Sequence, residues 1–175
     1  MFCYKKIPLD NLKEIQKDLL SVIPIDYLKE EKLFYPKDIQ SFFLSIPSLR
    51  ETLNNLGWLD KLSSVGFALN ILGPGNWVPI HIDSGDFDYS FNIPITDCRN
   101  TLVNFYNAES IEPTKFTNPK NTDATYYRFK KEDCRLIESL ELTVPALVNV
   151  KIPHGVVNFS DKKRVTLLIR LSGTS

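Results

Sequence analysis

At 175 residues the chain has the length of one domain and enough material to bury a sizeable core. Hydrophobic residues make up 43% and charged residues 24%, ordinary for a globular protein in water. Lys+Arg and Asp+Glu balance at 21 each, which argues against long-range attraction to nucleic acid or to an anionic membrane.

The first residues, Met1-Phe2-Cys3-Tyr4-Lys5-Lys6, lack the continuous apolar run of a secretory signal. No stretch reaches the roughly 18 apolar residues of a transmembrane helix. Cys3, Cys98 and Cys134 are odd in number and scattered, which suits free thiols in a reducing compartment, so a cytoplasmic location is expected. Leu9 to Asn55 is predicted to be mainly helical. Asp10 is placed to cap a segment with Leu12, Ile15, Leu19 and Leu20 at helical spacing, and Pro24 ends it. A second helix is predicted to start near Pro36-Lys37-Asp38, with Ile39, Phe42 and Phe43 on one face. The third runs from Pro47 to Asn55, with Ser45 or Ser48 near its start, a Leu49, Leu53 and Leu56 stripe, and Gly57 as its stop. These stripes are expected to pack against a sheet.

From Ser64 the apolar period falls from 3.6 to 2. Val65 to Leu72 reads as a buried strand, Gly73-Pro74-Gly75-Asn76 as a turn, and a strand through Trp77 to Asp83 follows. In Tyr89 to Ile95, Tyr89, Phe91, Ile93 and Ile95 share one face, Ser90 and Asn92 the other. Thr101 to Tyr106 is another strand. Asn107 to Asp123 shows no clear period and reads as an irregular excursion bordering the mouth of the site, or as a mere surface loop. Strand composition resumes at Thr125 to Phe129, Leu136 to Leu142, Leu147 to Ile152 and Arg164 to Leu171. About eight short strands after a helical preface over 1–60 suit a β-sandwich or barrel over 65–171 with helices on one outer sheet.

The chain's two histidines, His81 and His154, frame its chemistry. On a strand His81 and Asp83 point to the same face, aiming an imidazole and a carboxylate into one space. His154 arrives at the start of a late strand. Two histidines and one carboxylate form the facial set of non-haem Fe(II) sites, which leaves positions opposite for co-substrate and oxygen. A hydrogen-bonded strand end is the plain alternative. Asp86 and Asp88 are close enough to compete, but Asp83 shares the face of His81. Ten residues past His154, Arg164 enters an apolar strand on the face shared by Thr166, Leu168 and Arg170. A buried guanidinium needs an anion, either a bound carboxylate or an internal Asp or Glu. Trp77 and Tyr89 are read as core aromatics; Tyr126, Tyr127 and Arg128 are ambiguous. Neither a glycine-rich phosphate loop nor a nucleophile elbow is present.

The His81-Ile82-Asp83 pair, the distal His154 and the basic Arg164 resemble, in this order, the Fe(II)/2-oxoglutarate-dependent oxygenases of the double-stranded β-helix fold. Within them, the His154, Asn158, Arg164 series resembles the aspartyl/asparaginyl β-hydroxylase-like branch, although some of its members carry Gly where this chain has Asp83. The resemblance covers roughly Val65 to Leu171. It implies a mainly β, jelly-roll (cupin-like) domain with N-terminal helices. His81, Asp83 and His154 match the Fe(II) ligands. Arg164 and Thr166 match residues that hold 2-oxoglutarate, while Ser90 and Asn92 match polar cavity positions. A single oxygenase domain over 1–175, acting on a small-molecule or peptide substrate, is the expectation. A cupin-like metalloenzyme without 2-oxoglutarate and a non-catalytic small-molecule-binding barrel are the rivals.

Overall fold

The computed structural model describes residues 2–29, 33–34, 43–108, 113–118 and 121–172. In chain order its strands and helices are β1 (Tyr4–Lys6), α1 (Leu12–Val22), α2 (Ile25–Lys29), β2 (Leu33–Phe34), α3 (Pro47–Asn55), β3 (Leu62–Leu72), β4 (Trp77–Asp83), β5 (Tyr89–Pro94), β6 (Thr101–Asn107), β7 (Thr114–Asn118), β8 (Asn121–Arg128), β9 (Arg135–Glu141), β10 (Ala146–Asn149), β11 (His154–Asn158) and β12 (Arg164–Leu171). One six-stranded sheet has the order β1-β10-β5-β12-β3-β2 and the other β7-β8-β4-β11-β6-β9. Their pairings are antiparallel.

Within that order, β3, β5, β10 and β12 form one four-stranded layer and β4, β6, β9 and β11 the other. The chain crosses between layers at each step except from β6 to β9, which pair as neighbours. That winding is the double-stranded β-helix, a jelly roll with N-terminal helices. The fold class read from the sequence is therefore the one observed.

The helices cover the outer face of the first sheet because alternate strand residues point at them. Phe91, Ile93, Val165, Leu167, Ile169, Phe67, Leu69 and Ile71 pack with Ile15 and Leu19 of α1, with Phe43, and with Leu49 and Leu53 of α3. Each such Leu, Ile or Phe, once fully buried, contributes about 1.5–3 kcal/mol. The opposite faces of β5 and β12 turn Ser90, Asn92, Arg164, Thr166 and Arg170 inward, and all five are buried. A second apolar cluster, including Val103, Phe105, Leu140, Ala146 and Val148, fills part of the space between the sheets. Polar chemistry occupies the rest.

Several local expectations need correction. Asn11 rather than Asp10 stands at the start of α1, without a side-chain cap, and the helix ends where Ile23 turns extended before Pro24. Pro47 begins α3 as expected, with Ser45 and Ser48 near its start; Ile46 is the N-cap residue, and the Ser48 hydroxyl donates to Asp18 Oδ2. Gly57, at φ 67°, supplies the left-handed stop. The second predicted helix falls mostly on 35–42, outside the described residues, although Phe43 is buried as expected. The strand from Val65 begins earlier, at Leu62. The irregular excursion contains strand β7 and the start of β8, which form a hairpin that pairs with β4. Glu109, Glu112 and the side chain of Phe116, expected to serve there, lie outside the described residues. Trp77, expected in the core, is 63% exposed, whereas Tyr89 packs against the helix-side core and stacks on Phe2.

Cys3, Cys98 and Cys134 are free. Among the described residues no helix is long and apolar enough to cross a membrane.

Candidate metal centre

Two strands, β4 and β11, bring the triad together. Antiparallel pairing of β11 with β4 sets His154 opposite His81, and Asp83 follows two residues later on the same face. The register slips between His154 and Val156, so β4 carries one extra residue against β11. Gly155 makes room for that bulge: a Cβ there would stand 3.0 Å from the Val78 carbonyl oxygen. The glycine beside His154 is thus a spacing device.

One ligand atom each from His81, Asp83 and His154 lies within 4.8 Å of the other two. His81 Nδ1 is 2.7 Å from the Pro79 carbonyl oxygen, and His154 Nδ1 is 2.9 Å from that of Ile152. A carbonyl only accepts, so both Nδ1 atoms carry a proton, and a ring in its neutral, metal-binding form presents a bare Nε2. Backbone carbonyls here do what second-layer partners of metal-bound histidines do elsewhere: they fix tautomer and ring orientation. His81 Nε2 then faces Asp83 Oδ1 at 3.4 Å. Two acceptors at that distance repel unless a cation lies between them. The spacing is close to the about 3 Å that separates adjacent ligands on an octahedral dication. This donor set fits Fe(II) or a similar divalent ion.

Electrostatics favour the ligand-competent states. Burial pushes the His154 pKa down, helped by the neighbouring His81, to about 4, so its ring is neutral at pH 7. Burial pushes the Asp83 carboxyl up, but the neighbouring Arg170 guanidinium, the largest of the opposing influences, holds it well below the usual carboxylate range. Arg170 Nη1 stands 2.9 Å from Asp83 Oδ2, an ion pair without the alignment of a hydrogen bond. The same guanidinium lies 4.9 Å from the Phe87 ring centre. Lys151 Nζ donates to the Asp83 and Gly85 carbonyls at 3.3 Å, pinning the turn that follows the ligand.

Arg164 and Thr166 share the inner face of β12 and are 2% and 0% exposed. Arg164 Nη1 donates to Asn70 Oδ1 at 2.7 Å, while its Nε and Thr166 Oγ1 make no hydrogen bond. Among the described residues no carboxylate pairs with Arg164, so the internal salt bridge weighed from sequence is not observed. A buried guanidinium beside an unused hydroxyl has the donors that an anion would need. Ser90 and Asn92 are also buried on an inner face, but the Ser90 hydroxyl donates to Asn92 Oδ1, so this pair is partly spent on itself.

Asn158 of the resemblance is structural. Its amide nitrogen donates to the Leu72, Gly73 and Lys162 carbonyls, and its oxygen accepts from Ser160, tying the turn before β12 to the turn before β4. Asp86 and Asp88 are exposed and do not join the triad. Sequence reasoning placed Arg170 on the inner face without a role; its spacing of six residues from Arg164, on the same face, was the available signal. Asn70, which orients Arg164, carried no signal of its own.

No family model and no curated protein matches the chain. Among solved structures it is similar to a prolyl-4-hydroxylase from Pseudomonas putida, at 13% identity and a TM-score of 0.48, over 98% of this chain and 89% of that one. It is also similar to oxalate decarboxylase from Bacillus subtilis, at 14% identity and a TM-score of 0.34, over 61% of this chain. The chain spans about a fifth of the length of that decarboxylase, 21%. These likenesses concern fold alone, which the strand order already defines. Neither neighbour is from the aspartyl/asparaginyl β-hydroxylase-like branch.

Proposed function

We propose that the chain is an Fe(II)- and 2-oxoglutarate-dependent oxygenase that hydroxylates a small-molecule or peptide substrate, as one domain over 1–175. The observation that carries this reading is the pairing of two features in one barrel: a two-histidine, one-carboxylate triad, and a buried Arg164 with no anionic partner among the described residues. His81, Asp83 and His154 would hold Fe(II). Bound iron supplies oxygen activation coupled to oxidative decarboxylation: 2-oxoglutarate becomes succinate and carbon dioxide, one oxygen atom enters succinate and the other becomes the substrate hydroxyl.

The protein's own contribution is position and charge. Arg164 takes the far carboxylate of 2-oxoglutarate in its planar fork, and Thr166 donates its unused hydroxyl to the same group. Asn70 holds the guanidinium in place. Arg170 keeps Asp83 ionised and its second oxygen occupied, leaving Oδ1 for the metal. The aspartyl/asparaginyl β-hydroxylase-like assignment has only the His154, Asn158, Arg164 series behind it, and Asn158 is accounted for by the turn it ties. A cytoplasmic location is proposed from the three scattered, free cysteines, and the even charge balance argues against nucleic acid or an anionic membrane as partner.

Succinate release from 2-oxoglutarate, measured with Fe(II) and oxygen in the absence of substrate, tests the reading. Slow, iron-dependent succinate formation is expected. Stoichiometric metal binding with neither consumption nor binding of 2-oxoglutarate would favour a cupin-like metalloenzyme of other chemistry.

A further inference from the structure

Asn92 stands on the inner wall of the barrel between its two charged ends. Strand β5 runs beside β12, with Ser90 opposite Arg170, Asn92 opposite Leu168 and Pro94 opposite Thr166. Arg170 marks the metal end through its ion pair with Asp83, while Arg164 and Thr166 mark the far end. The Ser90 hydroxyl donates to Asn92 Oδ1, so the amide leans toward the metal end. That bond also fixes which way the amide is turned: its oxygen is taken, and its nitrogen faces away from Ser90. Asn92 is buried, yet nothing among the described residues accepts from its Nδ2. Unlike Arg164 Nε and Thr166 Oγ1, that nitrogen is not sealed from solvent-sized space. A neutral group with only donors to offer therefore borders the interior beside the metal end.

We propose that Asn92 donates to the metal-side carboxylate of the 2-oxo acid, and that Ser90 is the positioning residue that presents its N–H groups. The inference rests on the oxygenase reading and deepens it. An ionised carboxylate only accepts, which suits an amide whose own acceptor is already used. A hydrogen bond to a charged group is roughly twice as strong as one between neutral groups. The amide adds no charge at an end where Arg170 already balances Asp83. Left unfixed, it could turn its oxygen to the same carboxylate, and two acceptors would repel; Ser90 removes that alternative.

The test uses the full chain loaded with Mn(II), with 2-oxoglutarate and pyruvate as ligands. Both carry the 2-oxo acid, and only the first is long enough to reach Arg164. Their dissociation constants are read by NMR from Mn(II)-induced broadening of their proton resonances. Asn92→Ala should weaken both by the same factor, about ten-fold or more, and leave Mn(II) affinity unchanged. Asn92→Asp keeps the shape and should weaken both at least as much, because two carboxylates repel. Arg164→Met should weaken 2-oxoglutarate alone. Ser90→Ala should reproduce part of the Asn92→Ala loss and add nothing to it in the double variant. Unchanged affinities in both Asn92 variants overturn the inference, as does a loss confined to 2-oxoglutarate or matched by an equal loss of Mn(II). Additive losses from Ser90→Ala and Asn92→Ala overturn the role given to Ser90. A wild type that binds Mn(II) but neither 2-oxo acid overturns the oxygenase reading first and this inference with it.

Discussion

Arg170 and Asp83 divide the work of one carboxylate: Arg170 Nη1 sits 2.9 Å from Oδ2, while Oδ1 faces His81 Nε2 at 3.4 Å. The arginine thereby aims a single oxygen at the metal position. Arg170→Met keeps much of the side-chain volume and removes that orientation. Metal affinity should fall roughly ten- to hundred-fold, the usual effect of losing a partner behind a ligand. Mn(II) titration followed by electron paramagnetic resonance measures it, and an unchanged affinity would make the pair purely structural.

Arg164 is expected to show the opposite balance between folding and binding. A buried cation without an anion costs folding free energy, and replacement by an apolar side chain of similar size is often neutral or stabilising. Arg164→Met should therefore leave the ligand-free melting temperature unchanged or raised. The same variant loses a charge-assisted pair worth on the order of 2–5 kcal/mol, so 2-oxoglutarate affinity should drop about thirty-fold or more. Iron binding should persist. A variant that melts several degrees lower yet binds 2-oxoglutarate normally would contradict both statements.

Gly155 links backbone packing to the metal. The missing Cβ would stand 3.0 Å from the Val78 oxygen, so Gly155→Ala forces β4 or β11 to give by a few tenths of an ångström. His81 and His154 are paired across these two strands. Metal affinity should fall several-fold while global stability changes by only about 1 kcal/mol. Isothermal titration against a denaturation curve separates the two; equal losses in both would mean general damage.

The acid side of the pH profile follows from His154. Its folded pKa of about 4 lies below the ordinary 6.5, so between these values the unfolded chain binds the proton that the folded one refuses. Metal-free stability should thus decline as pH falls from about 6.5 to about 4, by on the order of 3 kcal/mol from this group. Asp83, whose pKa is depressed, adds its own loss only as pH falls below the ordinary carboxylate value of 3.8. Chemical denaturation at pH 7, 5.5 and 4.5 should show the slope in the wild type and a flatter one in His154→Asn. Equal slopes would place the titrating group elsewhere.

The His81–Asp83 pair and the inward Arg164 were legible in the sequence because each follows from strand parity, whereas the meeting of His154 with His81 needs the β11–β4 pairing. His81 and Asp83 share a face at a spacing of two, and Arg164 stands in phase with Thr166 on β12. The inward turn of Ser90 and Asn92 was legible for the same reason. What escaped depends on contacts between distant strands. Arg170 finds Asp83 and Asn70 finds Arg164 only once the jelly roll is wound. The β7–β8 hairpin hid in a stretch without clear period, and the pairing that docks it, β8 on β4, is with a strand distant in sequence. Trp77 looked like core by residue type, yet its cross-strand partner is Val157 and it lies exposed.

Anaerobic titration of the purified chain with Fe(II) and then 2-oxoglutarate tests the central claim most directly. A weak visible charge-transfer band should appear only when both are present, saturate at one equivalent of each, and be absent from His81→Ala and His154→Ala. Iron uptake by the wild type with no such band at saturating 2-oxoglutarate, or an unchanged iron content in both histidine variants, would contradict the account.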